Sequence, residues 1–197
     1  MRSLLVILLF SFSLANAHQP NSPCSSCNIH FIENKNQWDS RIQYLLELKN
    51  GKVFLEKNAL TFNFFDDAAY SRMQQSMKFG KKDLLFPSDT VLNCHAYQVS
   101  FLNANLNPEI KSLEPTSDYK NYFLGNDRSK WAPHVKSYQK IIYEEMYPGI
   151  DMQIYGQDDN LKYDFIIAPK ANPAQIQLLY KGADSLYIQD GNLIIKT

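Results

Sequence analysis

The sequence predicts an all-β fold, either a β-sandwich or two packed, mostly antiparallel sheets, with one short helical insertion. Two hairpin signals carry that reading, together with about ten strand-like segments set against a single stretch of helix formers. The clearer hairpin spans residues 147–169. With a four-residue loop at 157–160, Ile150 faces Ile167, Met152 faces Phe165 and Ile154 faces Tyr163 on an apolar side, while Asp151, Gln153 and Tyr155 face Ile166, Asp164 and Lys162 on the other. A slip of one residue would turn the apolar set to solvent, so the register is well specified.

From the N-terminus, residues 1–17 read as a secretory signal. Arg2 supplies the positive end, Leu4 to Leu14 the apolar run, and Ala15, Asn16 and Ala17 a small-residue cleavage site ahead of His18. That run falls short of the roughly 20 apolar residues that a spanning helix needs, and no later stretch could cross a membrane. Residues 18–28 form a polar tail containing Cys24 and Cys27. Residues 29–197 form one domain of ordinary size, interrupted by a helix-and-loop insertion at about 66–93.

Within the domain, residues 29–38 begin the ordered part. Asn50-Gly51 is the preferred pair for a two-residue type I′ turn, which sets Leu48 against Val53, Leu46 against Leu55 and Tyr44 against Lys57. Leu60, Phe62 and Phe64 alternate with Thr61 and Asn63 as a third strand. Ala68, Ala69, Met73, Gln74, Gln75 and Met77 follow two possible N-cap aspartates and predict the short helix. Residues 79–93 read as loop. Tyr97, Val99 and Phe101 alternate through the strand 95–102, residues 103–108 form a turn cluster, and 135–143 and 176–180 are further strands. Leu186 and Ile188 pair with Ile195 and Leu193 around the turn Asp190-Gly191. The chain reaches Thr197 while still in strand, which points to a longer natural product.

Lys+Arg and Asp+Glu balance at 20 each, so no long-range field favours nucleic acid or an anionic membrane. Twelve Tyr and twelve Phe suit strands that use aromatic residues on half-buried faces. Three cysteines are an odd number for the oxidising compartment to which a secretory signal leads. Cys24 and Cys27 have the spacing of a redox dithiol or half a zinc site, but they lie in a polar tail beside Pro23, away from any helix N-terminus that would lower a thiol pKa. The obvious further zinc ligands, Cys94 and His95, are neighbours in a strand and point to opposite faces. The plain reading is a disulfide from Cys24 to Cys27, or from one of them to Cys94, with one thiol left over and no metal bound.

Two groups of residues are candidates for chemistry. Asp151 and Asp164 share a face of the hairpin as diagonal neighbours, roughly 7 to 8 Å apart at Cα, a separation of the kind that inverting glycosidases use between their carboxyl groups. The alternative is two acidic residues on a wet face beside Lys162. Tyr119, Tyr122, Phe123 and Trp131 flank the turn Gly125-Asn126-Asp127, where aromatic rings either stack on sugars or anchor partners, or else plug the end of the fold. The GxSxG, P-loop, dinucleotide-glycine, HExxH and calcium-loop patterns are absent, so no catalytic set and no cofactor is expected.

The strings FIENKNQWDSRIQYL, NGKVFLEKNALTFNFF, HAYQVSFLNANLNPEI, NYFLGNDRSKW, YPGIDMQIYG, LKYDFIIAPKANPAQIQLLYKGADSL and DGNLIIKT together resemble the uncharacterised N-terminal β domain of large secreted bacterial proteins. Those proteins often carry SBBP-type β-propeller repeats and a gliding-motility or type IX secretion sorting domain. The resemblance covers nearly all of the chain after the tail, apart from the insertion, and brings no established catalytic residues. It implies an exported, cell-surface multidomain protein whose partners are its own further domains or surface proteins and glycans. The expected function is therefore a non-enzymatic structural or interaction module. The alternatives are a carbohydrate-binding or glycan-processing accessory domain, and the cysteine-based redox or zinc site.

Overall fold

The computed structural model describes residues 5–6, 29–66, 71, 93–123, 125–157 and 160–197. Its strands are β1 (Leu5–Val6), β2 (Phe31–Glu33), β3 (Ile42–Leu48), β4 (Gly51–Glu56), β5 (Ala59–Phe65), β6 (Cys94–Leu102), β7 (Glu109–Tyr122), β8 (Ala132–Tyr147), β9 (Ile150–Gln157), β10 (Asn160–Ile167), β11 (Gln177–Lys181), β12 (Ser185–Gln189) and β13 (Asn192–Lys196). The chain is all-β, with about 66% of it in strand. Among the described residues, no helix is long and apolar enough to cross a membrane.

One large antiparallel sheet runs in the order β1-β11-β6-β5-β4-β3-β2-β8-β9-β10, with β7 on the other side of β8; β12 and β13 form a second, two-stranded sheet. The two facing layers come from this one sheet curling on itself. Six strands intervene between β6 and β10 in the sheet order, yet Phe101 of β6 and Phe165 of β10 meet edge to face at 6.2 Å between ring centroids. The curl encloses a core that includes Phe31, Leu46, Val53, Leu55, Ile141, Met152 and Ile154, all with no exposed surface. Tyr143 reaches across it from β8 and donates its hydroxyl to the Glu56 carbonyl at 2.9 Å.

A smaller cluster lies on the opposite face of the same sheet. Ile32 alternates with core residue Phe31, so it points outward and packs with Ala132, Val135, Trp38 and Tyr122. This patch covers the outer side where β2, β7 and β8 meet.

The β9–β10 register is the predicted one at every pair from Ile150↔Ile167 to Tyr155↔Lys162, and pairing continues to Gln157↔Asn160, so the connection is shorter than the expected four residues. The β12–β13 hairpin also matches, with Leu186↔Ile195 and Ile188↔Leu193, and Asp190 and Gly191 both take the positive φ that a type I′ turn requires. The predicted strands 60–64, 95–102, 135–143 and 176–180 lie on β5, β6, β8 and β11, the last displaced by one residue.

The first hairpin departs from expectation. Leu46 pairs with Val53, Tyr44 with Leu55 and Leu48 with Gly51, a shift of two residues that keeps every side chain on its predicted face. Neither Lys49 nor Asn50 has positive φ, so a type I′ turn does not form. The third strand explains the shift. The Asn50 carbonyl accepts from the Phe65 N–H at 2.8 Å, and Gly51 is pressed against β5 so closely that a Cβ there would collide with the Asn63 carbonyl and lie 3.2 Å from the Phe64 Cα. Glycine is needed at this position for close approach, which overrides its use in the turn.

Strand β7 was not expected, its last residues being read only as aromatics beside a turn, and β8 is longer than predicted at both ends. The helix expected at 66–77 and the loop at 79–93 fall largely outside the described residues; Ser71, the one described residue between Asp66 and Asn93, is helical.

Gly51→Ala should lower unfolding stability by about 2 kcal/mol through overpacking against β5, read as a reduced denaturant midpoint with an unchanged slope. The core phenols predict an alkaline transition as well. Burial pushes Tyr97 up to about 12 and also raises Tyr143 and Tyr180. A raised folded-state pKa means that the unfolded chain releases its proton first, so this contribution is intact below about pH 10 and is lost as the pH rises towards 12. Phenolate absorbance should rise together with the loss of circular dichroism across that window.

Candidate functional site

The sequence-predicted site residues do not converge on one place. Asp151 sits opposite Ile166 near the start of β9, and its Oδ1 accepts the Glu145 N–H at 2.8 Å. That bond serves an irregularity in β8. Between Tyr143↔Met152 and Tyr147↔Ile150 the ladder skips, Glu145 adopts φ 50°, and consecutive residues Met146 and Tyr147 both become buried. The carboxylate supplies the partner that the Glu145 N–H loses from the ladder.

Asp164 is held separately. Its Oδ2 accepts from the Tyr155 hydroxyl at 2.8 Å and from Gln153 Nε2 at 3.2 Å, while the Lys140 ammonium lies 5.9 Å from the centre of the Tyr155 ring. Burial and the Asp164 carboxylate both raise the Tyr155 phenol. The two aspartates share a face, as expected, but their hydrogen-bond partners are different and each stabilises its own stretch of strand.

The four aromatic candidates also divide. Tyr122 belongs to the outer cluster and packs edge to face on Trp38 at 5.4 Å. Trp131 is half-buried: its Nε1 donates to the Gly125 carbonyl at 3.2 Å, and Phe123 and the Arg128 guanidinium lie 5.7 Å and 5.3 Å from its ring. By contrast Tyr119 and Phe123 are 54% and 55% exposed. Tyr119 leans on the His134 ring at 4.7 Å. Beyond β2, the β7–β8 hairpin thus presents aromatic surface to solvent.

Cys94 opens β6 opposite Phe65 and is exposed. His95, on the opposite face as expected of adjacent strand residues, places Nε2 2.8 Å from the Gly182 carbonyl. Cys24 and Cys27, with the cleavage pair Ala17 and His18, lie outside the described residues. Among the described residues, no three His, Cys, Asp or Glu side chains gather as a metal site.

Two clefts do form. One, of about 140 Å³, is lined by His30, Ile32, Glu47, Thr116, Asp118, Lys120 and Ser137. In it Lys120 pairs with Glu47 at 3.0 Å, and the Thr116 hydroxyl, which donates to the Asp118 backbone carbonyl at 3.3 Å, lowers the Asp118 carboxyl.

The other, of about 280 Å³, lies where three connections meet at one end of the sheet. The β6–β7 turn supplies Asn103, β8 ends in Tyr147, and the segment between β10 and β11 supplies Asn172, Ala174 and Gln175, followed by Gln177 at the head of β11. Backbone bonds tie these connections together: Asn105 N–H to the Met146 carbonyl at 2.9 Å, and Ala168 N–H to the Gly149 carbonyl at 2.9 Å. Gly149 has φ 73°, and a Cβ there would approach Ala171 Cβ to 2.9 Å, so glycine is required for this closure.

The carboxamides of this cleft are partly committed. Asn172 Oδ1 caps the Ala174 N–H at 3.0 Å, Gln175 Nε2 donates to the Asn172 carbonyl at 3.0 Å, and Asn103 Nδ2 donates to Gln177 Oε1 at 3.4 Å. The Tyr147 hydroxyl at the base donates to the Gln177 carbonyl at 3.4 Å. Sequence reasoning saw these residues as turn formers and strand ends, because they are brought together only by the closure.

Residues 31–197 match the family described as a domain of unknown function, DUF7948. The chain belongs to that family. The match spans the ordered domain from β2 to its last residue, including the hairpins on which the family resemblance rested. No curated protein and no solved structure matches the chain.

Proposed function

We propose that this DUF7948 domain is a non-catalytic, exported module that serves a larger cell-surface protein as a structural and interaction domain, with the β7–β8 hairpin as its contact surface. The observation that carries the reading is the combination of an edge strand that, among the described residues, is paired on one side only with two aromatic side chains more than half exposed beside it. An unpaired strand edge offers backbone donors and acceptors to a partner, and exposed rings supply apolar contact area. The leader-like residues 1–17 and the resemblance to N-terminal domains of secreted proteins with SBBP-type propellers and type IX sorting domains support export and a multidomain setting.

The partners that fit are further domains of the same polypeptide, or proteins and glycans of the cell surface. Cleavage between Ala17 and His18 would remove β1 and free the outer side of β11, which pairs with it through Leu178 and Leu179.

Export is tested by N-terminal sequencing of the protein from its natural host, combined with antibody labelling of intact cells. The expected result is a chain that begins at His18 and is labelled without permeabilisation. Retention of residues 1–17 on a protein confined to the cytoplasm would sink the proposal.

A further inference from the structure

We propose that the cleft between Asn103, Tyr147, Asn172, Gln175 and Gln177 is a binding site for a neutral saccharide. The inference goes beyond the hairpin contact proposed above and concerns a different end of the molecule.

The chemistry of the lining selects the ligand class. Each carboxamide carries a carbonyl acceptor and two N–H donors, and the internal bonds use only part of that capacity. Asn103 Oδ1 and Gln175 Oε1 remain as acceptors, and Asn172 Nδ2 and Gln177 Nε2 remain as donors, with no hydrogen-bond partner among the described residues. A hydroxyl group both donates and accepts, so adjacent hydroxyls of a sugar ring can use acceptor and donor positions together. Among the described residues, no charged side chain lines the cleft. An anionic or cationic ligand would therefore leave water without a counter-charge to receive it, and the phosphate contacts that nucleic acids require have no Lys or Arg to make them.

Size and rigidity agree with this assignment. A volume of about 280 Å³ lies just below the range of ligand pockets, roughly 300 to 1,000 Å³, and suits a single ring of a glycan whose remainder extends into solvent. The frame is set before any ligand arrives. Asn172 is fixed by its capping bond, Gln175 by its bond to the Asn172 carbonyl, and the connections by the close approach at Gly149. Preorganisation of this kind lowers the entropic cost of binding.

The test is an NMR titration of the isotope-labelled protein with glucose, galactose, mannose and N-acetylglucosamine in turn, following the side-chain amide resonances of Asn172 and Gln177. At least one sugar should shift them saturably. Gln177→Glu, which keeps the acceptor for Asn103 but replaces the free donor, should weaken that binding about tenfold. Trp131→Ala should leave it unchanged, since that residue belongs to the hairpin, and this separates the saccharide site from the contact surface proposed above. Three results would overturn the assignment: no shift with any of the four sugars, equal binding by Gln177→Glu, or tighter binding of glucose 6-phosphate than of glucose.

Discussion

The structure depends on the closure of one long sheet, made where β6 meets β10. Laid flat, this sheet would expose the apolar face of every strand, and antiparallel sheets of this width relieve that exposure by twisting and curling. Here the curl brings Phe101 against Phe165, and sets Tyr163 of β10 close enough to Tyr180 of β11 to add to the upward push that burial gives its phenol. An aromatic pair of this geometry contributes about 1 kcal/mol beyond its buried area. The larger effect is that the contact makes one half of the sheet the lid of the other, so the core residues of β4, β8 and β9 gain a second wall.

The places left for function follow from that closure. Strands inside the curl have both edges paired and one face in the core, so they have little freedom to present chemistry. What remains are the edge strands β7 and β10, the outer face near the Ile32 cluster, and the ends where connections gather. The carboxamide cleft is a product of the third kind: the register of β6 with β11 and the turn at Gly149 together decide which side chains meet there.

Much of the strand pattern was legible in the sequence because alternation and turn chemistry agreed. The β9–β10 register could be written down residue by residue, and the Asp190-Gly191 turn behaved as its residue types dictate. The first hairpin shows the limit. Asn50-Gly51 is a strong local turn signal, but the approach of β5 gave Gly51 a different use, and a local rule has no access to a third strand. Strand β7 escaped notice because an exposed edge has no buried face to impose alternation. It carries Pro115, a positive φ at Glu114 and two register shifts. Of the candidate site residues, the sequence placed Asp151 and Asp164 on the correct face but could not show that a β8 irregularity and the Tyr155 hydroxyl already engage them. The cleft was invisible for a simpler reason: Asn103 and Asn172 are far apart in the chain, and nothing local marks them as neighbours.

If closure holds the fold, the two halves of the sheet form one cooperative unit while the outer part of β7 stands apart from it. Native-state hydrogen exchange measures this directly. Backbone amides in β6 and in β9 should open with the same free energy, equal to that of global unfolding, and amides between Thr116 and Tyr122 should open at a lower one. If β9 instead opened well below β6, the two halves would be independent and the closure would not be what holds the fold.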